Sequence, residues 1–285
     1  MTAFPSRFCR LPDVTLHVAD SGPADGPFTI LLHGFPEFWW AWRAQIDPLA
    51  RAGLRVVVPD QRGYNLSSKP AAISSYRLDA LAKDVIDLAD AYEADRVNLV
   101  GHDWGGIVAA WVAALCPSRV NKLILINAPH APAASSYIRR HPGQMLKSTY
   151  IGLFQVPALP EFLLSRRDYA LLARSMVRSS RPGSFNDADL ARYRDAWSQP
   201  GALTAMLNWY RALSAPRNAN VSARIGPPTR VLWGKKDAFL QPGLAEATLR
   251  CCERGSMVWF ENASHWVHHE EPDVITAEII RFLVD

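Results

Sequence analysis

The stretch Val97-Asn98-Leu99-Val100-Gly101-His102-Asp103-Trp104-Gly105-Gly106 constrains this chain more than any other part of it. Its first four residues read as a strand, and Ile107-Val108-Ala109-Ala110, directly after it, reads as the body of a helix. A chain passes from strand to helix this abruptly only through a tight turn. Small residues stand two before Asp103 and two and three after it, where the backbone must approach itself closely. This is the nucleophile-elbow pattern, which holds the central side chain exposed on a strained turn. The usual central residue is Ser; here it is Asp.

Such an elbow needs a sheet around it. Short apolar runs at residues 14–20, 29–32, 55–58, 97–100, 123–127, 230–233 and 257–260 read as strands. Several are continuous Val/Ile/Leu segments, suited to burial on both faces. Helical patterns fall between them at 40–52, 78–92, 105–115, 243–252 and 273–283. The alternation predicts an α/β fold with a mostly parallel central sheet flanked by helices. It breaks between His130 and Val221, where helical stretches are separated by Pro142-Gly143, Pro182-Gly183 and Pro200-Gly201. That break predicts an all-helical cap inserted after the strand at 123–127. The division is then a core of residues 1–129 and 221–285 and a cap of residues 130–220, with 212–228 as the return path.

Composition narrows the class of function. A net charge of +4, with no dense Lys/Arg run, argues against nucleic acid as a partner. The pairs Arg139-Arg140 and Arg166-Arg167 read as solvated helix faces. No signal-peptide pattern opens the chain, and the longest apolar stretch, 107–116, is too short to span a bilayer. No membrane insertion and a cytoplasmic location are expected. The cysteines, Cys9, Cys116, Cys251 and Cys252, have neither metal-ligand spacing nor the density of a disulfide framework.

Asp at the elbow changes the chemistry. A serine attacking a saturated carbon would form an ether that the site could not hydrolyse. A carboxylate attacking the same carbon forms an ester, which water can cleave at its carbonyl. Asp103 therefore points to alkyl transfer, as in epoxide opening or halide displacement, although an Asp here could also simply cap the helix. The elbow needs an acid and then a histidine in chain order. Asp237 follows the strand at 230–233 across Lys235-Lys236, and His265 lies in the loop after 257–260. Alone, each is an ordinary loop residue; the order Asp103, Asp237, His265, each just beyond a strand, is the specific signal. His268 and His269 read as surface residues. In His33-Gly34-Phe35-Pro36, the loop after the strand at 29–32 is placed to give an oxyanion hole one backbone N–H, with the second from the residue after the nucleophile. Those donors are Phe35 and Trp104, and His33 reads as structural. Aromatic residues near the motifs, Phe35, Trp104, Trp209, Phe239 and Trp266, suggest an apolar substrate pocket.

Together, His33-Gly34-Phe35-Pro36-Glu37, Asp60-Gln61-Arg62-Gly63-Tyr64, the elbow and His265-Trp266 resemble the epoxide hydrolases of the α/β-hydrolase fold, over essentially the whole chain. The resemblance implies that two cap tyrosines, Tyr150 and Tyr210, donate hydrogen bonds to the epoxide oxygen; composition would single out neither. It implies a small apolar epoxide as substrate, with no metal or cofactor. Two alternatives stay beside it. Haloalkane dehalogenases share the Asp and the following Trp, but commonly place Asn where this chain has Phe35. Fluoroacetate dehalogenases carry arginines beside the nucleophile, where this chain has Trp104 and Ile107. A non-catalytic ligand receptor on the same scaffold would usually lack one of the catalytic groups, and Asp103, Asp237, His265, Tyr150 and Tyr210 are all present. A homodimer remains open.

Overall fold

The computed structural model describes residues 4–214 and 222–284. Its strands are β1 (Ser6–Arg10), β2 (Thr15–Ser21), β3 (Phe28–Leu32), β4 (Arg55–Pro59), β5 (Val97–His102), β6 (Val120–Ile126), β7 (Thr229–Gly234) and β8 (Gly255–Phe260). They form one sheet in the order β1-β2-β4-β3-β5-β6-β7-β8. The pairs β1/β2 and β2/β4 are antiparallel and the rest are parallel. The strand β1 was not among those expected. It lies at the sheet edge with Ser6, Arg7, Phe8 and Arg10 exposed, so it carries no apolar run to read.

The helices before the cap are α1 (Ile46–Arg51), α2 (Leu78–Ala91) and α3 (Asp103–Leu115). Between β6 and β7 the described residues contain α4 (Ala131–Arg140), α5 (Pro142–Lys147), α6 (Thr149–Phe154), α7 (Leu159–Ser179), α8 (Asp187–Trp197) and α9 (Ala202–Arg211), and no strand. The chain closes with α10 (Gly243–Leu249), α11 (Val267–Glu270) and α12 (Pro272–Val284). The helix expected at 40–52 is two pieces, a 3-10 turn over Trp39–Trp42 and then α1. Helix α7 is also broken, since Arg167, Asp168 and Tyr169 take left-handed backbone angles. The exposed Arg166 and Arg167 therefore stand at a kink rather than along a helix face. Part of the expected return path, residues 215–221, lies outside the described residues.

Alternate side chains of the central strands enter different apolar clusters. Ile30, Leu32, Leu99, Leu123 and Leu125 pack with Leu88, Val108 and Trp111 of α2 and α3. Leu31, Val100, Ile124 and Ile126 pack with Ile46, Leu49, Ile275 and Ile279 of α1 and α12. This is the two-sided burial that the continuous apolar runs call for. At about 1.5–3 kcal/mol for each large side chain buried, these two layers dominate the stability of the core. Cap residues join the first cluster through Phe154, Tyr193, Trp197, Trp209 and Tyr210. The indole N–H of Trp197 donates to the Pro36 carbonyl at 2.6 Å, and that of Trp209 to the Arg62 carbonyl at 3.0 Å. No helix among the described residues is long and apolar enough to cross a membrane.

The order of the sheet also places the site. Strands β3 and β5 are neighbours, but the chain leaves β3 toward β4 on one side and leaves β5 toward β6 on the other. A crevice opens where connections part in this way, beyond the carboxyl ends of the two strands. Phe35 follows β3 and Asp103 follows β5, so both line that opening.

Candidate active site

Asp103 is the first residue of α3 and has a left-handed φ of 48°. That strain projects its carboxylate out of the turn. The turn closes only because its neighbours lack side chains. A Cβ on Gly101 would meet backbone atoms of Gly105 and Gly106 at 2.5 Å, and one on Gly106 would meet Ala128 Cβ at 2.2 Å. Across the crevice, a Cβ on Gly34 would lie 2.5 Å from Asp103 Cβ, so the β3 loop can reach the carboxylate only as glycine. There the Phe35 N–H donates to Asp103 Oδ1 at 3.0 Å.

His265 Nε2 faces Asp103 Oδ2 at 3.6 Å, longer than a hydrogen bond, while its Nδ1 donates to Asp237 Oδ2 at 2.7 Å. Asp237 is held from every side. Its Oδ1 accepts from the N–H groups of Phe239 at 2.7 Å and Leu240 at 2.9 Å, and its Oδ2 accepts from Asn127 Nδ2 at 2.7 Å. Burial favours a neutral Asp237, but the charge and hydrogen bond of His265, with the other donors, hold its carboxyl below the ordinary value. Burial likewise disfavours a charged His265, yet the charge and hydrogen bond of Asp237, followed by the charge of Asp103, raise its pKa to about 9. The three side chains grade outward, with relative exposures of 0% for Asp237, 3% for His265 and 17% for Asp103. Only the last opens appreciably to the crevice.

Asp103 and His265 form one end of a cavity of about 300 Å³, shared with the cap residues Tyr150 and Tyr210. The tyrosine rings lie 6.0 Å apart. Burial and the Asp103 charge push both phenols above their ordinary pKa, so both keep their protons at neutral pH; hydrogen bonds from Tyr210 to Tyr150 and from Trp104 to Tyr210 act the other way. The remaining wall includes Phe35, Leu153, Phe154, Leu164, Leu172, Met176, Phe239 and Trp266, with Ser175 as a polar exception. Among the described residues, no charged side chain besides Asp103 and His265 lines it.

The structure brings together Asp103, His265, Asp237, Tyr150, Tyr210, Phe35, Phe239 and Trp266. It does not bring Trp104 and Trp209 to the cavity wall. These two are buried behind it, with ring centroids 5.6 Å apart, and Trp104 instead packs at 5.1 Å beneath Tyr210. His268 and His269, read as surface residues, are in fact enclosed, their side chains 0% and 2% exposed. They sit on α11, the single turn that follows His265, and face the buried Glu37 rather than solvent. His33 is a tie between loops, its Nδ1 donating to the Gly34 carbonyl and its Nε2 accepting from the Gln61 N–H.

Several supporting residues escaped the sequence reading. Asn127, left-handed at φ 41° after β6, accepts from Gly234 N–H and donates to Asp237, which joins the ends of β6 and β7. An Asn at a strand end is the signal for such a turn, though not for its partner. Lys147 and Gln144 of the cap bind the carbonyls of Asp237 and Phe239, which ties α5 to the acid loop. Glu37, His102 and His268 bring three potential ligand atoms within 4.8 Å of one another. Both nitrogens of His102 already face hydrogen-bond acceptors, so the group reads as a hydrogen-bonded network rather than a ligand set.

Comparison with known proteins agrees with this geometry. The sequence profile described as alpha/beta hydrolase fold matches residues 29–272. A Bacillus subtilis protein named AB hydrolase superfamily protein YfhM is 46% identical, covering 99% of each chain. Human Epoxide hydrolase 4 is 38% identical over 97% of this chain and 78% of its own length. The Bacillus megaterium epoxide hydrolase, solved with an inhibitor, superposes with a TM-score of 0.88 at 27% identity, covering 98% of this chain and all of its own. A structure described among novel epoxide hydrolases from hot-environment metagenomes gives 0.87 at 33% identity, covering 99% of each. An aspartate on the elbow, in a fold that sequence and structure both match, makes this chain a member of the α/β-hydrolase fold family, among its epoxide hydrolase-like hydrolases.

Proposed function

We propose that this protein hydrolyses uncharged, apolar epoxides to vicinal diols through an ester on Asp103. The observation that carries the reading is the pairing of a strained carboxylate with two protonated phenols around one apolar cavity. Asp103 attacks a ring carbon and the carbon–oxygen bond breaks. The alkoxide, a poor leaving group, takes a proton from Tyr150 or Tyr210. Water activated by His265 then adds to the ester carbonyl, with Asp237 stabilising the imidazolium that forms. The N–H groups of Phe35 and Trp104 hold the oxyanion, Trp104 being free to donate as a first-turn residue of α3. The acyl bond breaks and one carboxyl oxygen leaves with the diol, while water supplies its replacement; the His265 imidazolium protonates the departing oxygen, and the proton brought in by water on the renewed Asp103 carboxyl returns to the phenolate.

Electrostatics orders the two steps. Asp103 in its charged form helps hold the His265 proton. Esterification removes that negative charge, so the pKa of His265 falls and the imidazole becomes a usable base only after the ester exists. An uncharged wall favours an uncharged substrate, since an anionic one would leave its carboxylate unpaired.

The test is a single turnover of styrene oxide in heavy-oxygen water, followed by mass spectrometry of the peptide bearing Asp103. Diol formation with one heavy oxygen in that carboxylate is expected. Diol formation with no heavy oxygen in that carboxylate would refute the ester. Halide release from a bromoalkane without any epoxide turnover would assign the same nucleophile to dehalogenation.

A further inference from the structure

The catalytic cavity reaches the surface through the cap, and the surface around its mouth has an unusual composition. Leu153 of α6 and Leu171 of α7 line the cavity, yet they are 41% and 50% exposed. Ser175, one turn beyond Leu171, also lines it and is exposed. These three frame the opening. On the chain between Leu153 and Leu171, the side chains of Val156, Leu159 and Phe162 stand in solvent as well, Phe162 at 56%. Scattered exposed apolar side chains are ordinary, but a run of them beside a cavity mouth marks a surface that meets something apolar.

The same segment is basic. Of the 31 Lys and Arg residues, twelve fall within residues 130–220, against five of the 27 Asp and Glu, so the cap is strongly positive and the core slightly negative. Arg166, Arg167, Arg174 and Arg178 are all exposed. The acids of this stretch are engaged elsewhere, Glu161 with Arg211 at 2.7 Å and Asp168 with Arg194 at 3.4 Å. Among the described residues, no carboxylate pairs with any of the four arginines. Arginine and apolar side chains interleave here. Leu171, Arg174, Ser175 and Arg178 have the spacing of a single helix face, and the guanidinium of Arg166 lies 5.0 Å over the Phe162 ring.

We propose that this face of the cap docks on an anionic lipid surface, with the cavity mouth against it. The leucine and phenylalanine side chains enter the boundary between headgroups and acyl chains, and the arginines meet lipid phosphates at the same depth. No helix needs to cross the bilayer, and none among the described residues is long and apolar enough to do so. Nucleic acid would engage the arginines and leave the apolar side chains wet. A protein seated on this face would close the mouth, whereas a fluid lipid surface leaves it open and holds apolar molecules at high local concentration. That an apolar epoxide enters the cavity from lipid rests on the reaction proposed above; the docking does not.

The full-length protein should float with vesicles of mixed phosphatidylcholine and phosphatidylglycerol, and far less with vesicles of phosphatidylcholine alone. Added salt should weaken the binding, because it screens surface charge. The paired substitutions Arg174→Glu with Arg178→Glu, and separately Leu159→Ser with Phe162→Ser, should each cost about tenfold or more in affinity. Arg51→Glu, a charge reversal at an exposed position of α1 in the core, should not. None of these residues lines the cavity, so turnover of dissolved styrene oxide should be unchanged, and melting curves check that the variants fold. Equal binding to neutral vesicles, or equal loss in the Arg51 control, would overturn the docking.

Two other occupants have their own signatures. Duplex DNA bound as tightly as anionic vesicles, and lost with the arginine pair, would make the face a nucleic-acid site. A dimer in sedimentation that Leu159→Ser with Phe162→Ser dissociates would assign it to a second copy of this chain. Either result overturns the lipid assignment. Delivery is read with epoxyhexadecane carried in the vesicles. The native protein should hydrolyse it faster from anionic than from neutral vesicles, and Arg174→Glu with Arg178→Glu should remove that difference. Equal rates for the native protein would overturn delivery from lipid. If the native protein turns over no epoxide at all, the reaction assignment fails, and the flotation result still decides the docking.

Discussion

The two halves of the cavity are built by different physics. On the core side, Asp103, Asp237 and His265 stand just past β5, β7 and β8, and backbone contacts allow them almost no freedom. Glycines leave the elbow a single way to close, and Asp237 has all its near partners in place. On the cap side, Tyr150 and Tyr210 are held mainly by rings, Tyr210 against Phe35 at 5.2 Å, Trp104 at 5.1 Å and Phe154 at 5.0 Å. Edge-on aromatic contacts tolerate small shifts that a glycine turn does not. The core side is therefore suited to bond making at one fixed point, and the cap side to adjusting the fit around it.

The largest expected effect breaks the core half. The variant His265→Gln should lose about 10⁴-fold or more in kcat, the range seen when a member of a catalytic unit is removed. Ester formation should survive, so the intact protein should gain the mass of one substrate molecule. A protein that loses turnover without trapping the adduct would count against two separate steps. The companion variant Asp103→Ala removes one of the charges that raise His265. Its imidazole should then titrate below the value of about 9 set by Asp237 and Asp103 together, read by proton NMR of the ring. An unchanged titration would mean that Asp103 and His265 are not coupled through the 3.6 Å gap.

The same division explains what could be read from sequence. Continuous Val/Ile/Leu strands and the elbow glycines leave strong local patterns, because burial on both faces and close backbone approach each restrict residue type. Strand β1 leaves none, being an exposed edge on which Phe8 is the one large apolar side chain. Asp237 and His265 could be found because the fold requires an acid and a histidine at given strand ends. Tyr150 and Tyr210 came only from resemblance, since a tyrosine on a helix carries no mark of what it faces. Trp104 and Trp209 were misassigned to the cavity for the converse reason: being near a motif in sequence says nothing about which side of the wall a ring occupies. His268 and His269 are a third case. Histidines in a loop after a strand look exposed until the buried partner, Glu37, more than two hundred residues earlier, is in place.

A smaller effect is expected in the cap. Tyr150→Phe and Tyr210→Phe should each slow ester formation by about 10²-fold, the lower end of what a proton donor contributes. Removing both hydroxyls should cost far more than either alone. The two phenols share one hydrogen-bonded site, so either can partly serve for the other, and coupled groups are not additive. Hydrolysis of the ester already formed should be unchanged, because the core performs it. Single-turnover traces of all three variants test this. A slowed second step would place the tyrosines in the core's half of the reaction and erase the distinction between the two sides.

The smallest effect concerns shape. Leu164 lines the cavity from α7 without being fully buried, so Leu164→Trp can fill space while leaving the packed core alone. An apolar pocket distinguishes substrates by about 1–3 kcal/mol for a small change in volume. For a bulky aryl glycidyl ether, KM should therefore rise about tenfold, while a small epoxide such as propylene oxide keeps its kcat/KM. Steady-state kinetics on the two substrates gives the ratio. If both fall together, the added ring has reached Asp103 or the tyrosines, and the cap wall is then part of the chemistry rather than a gauge of substrate size.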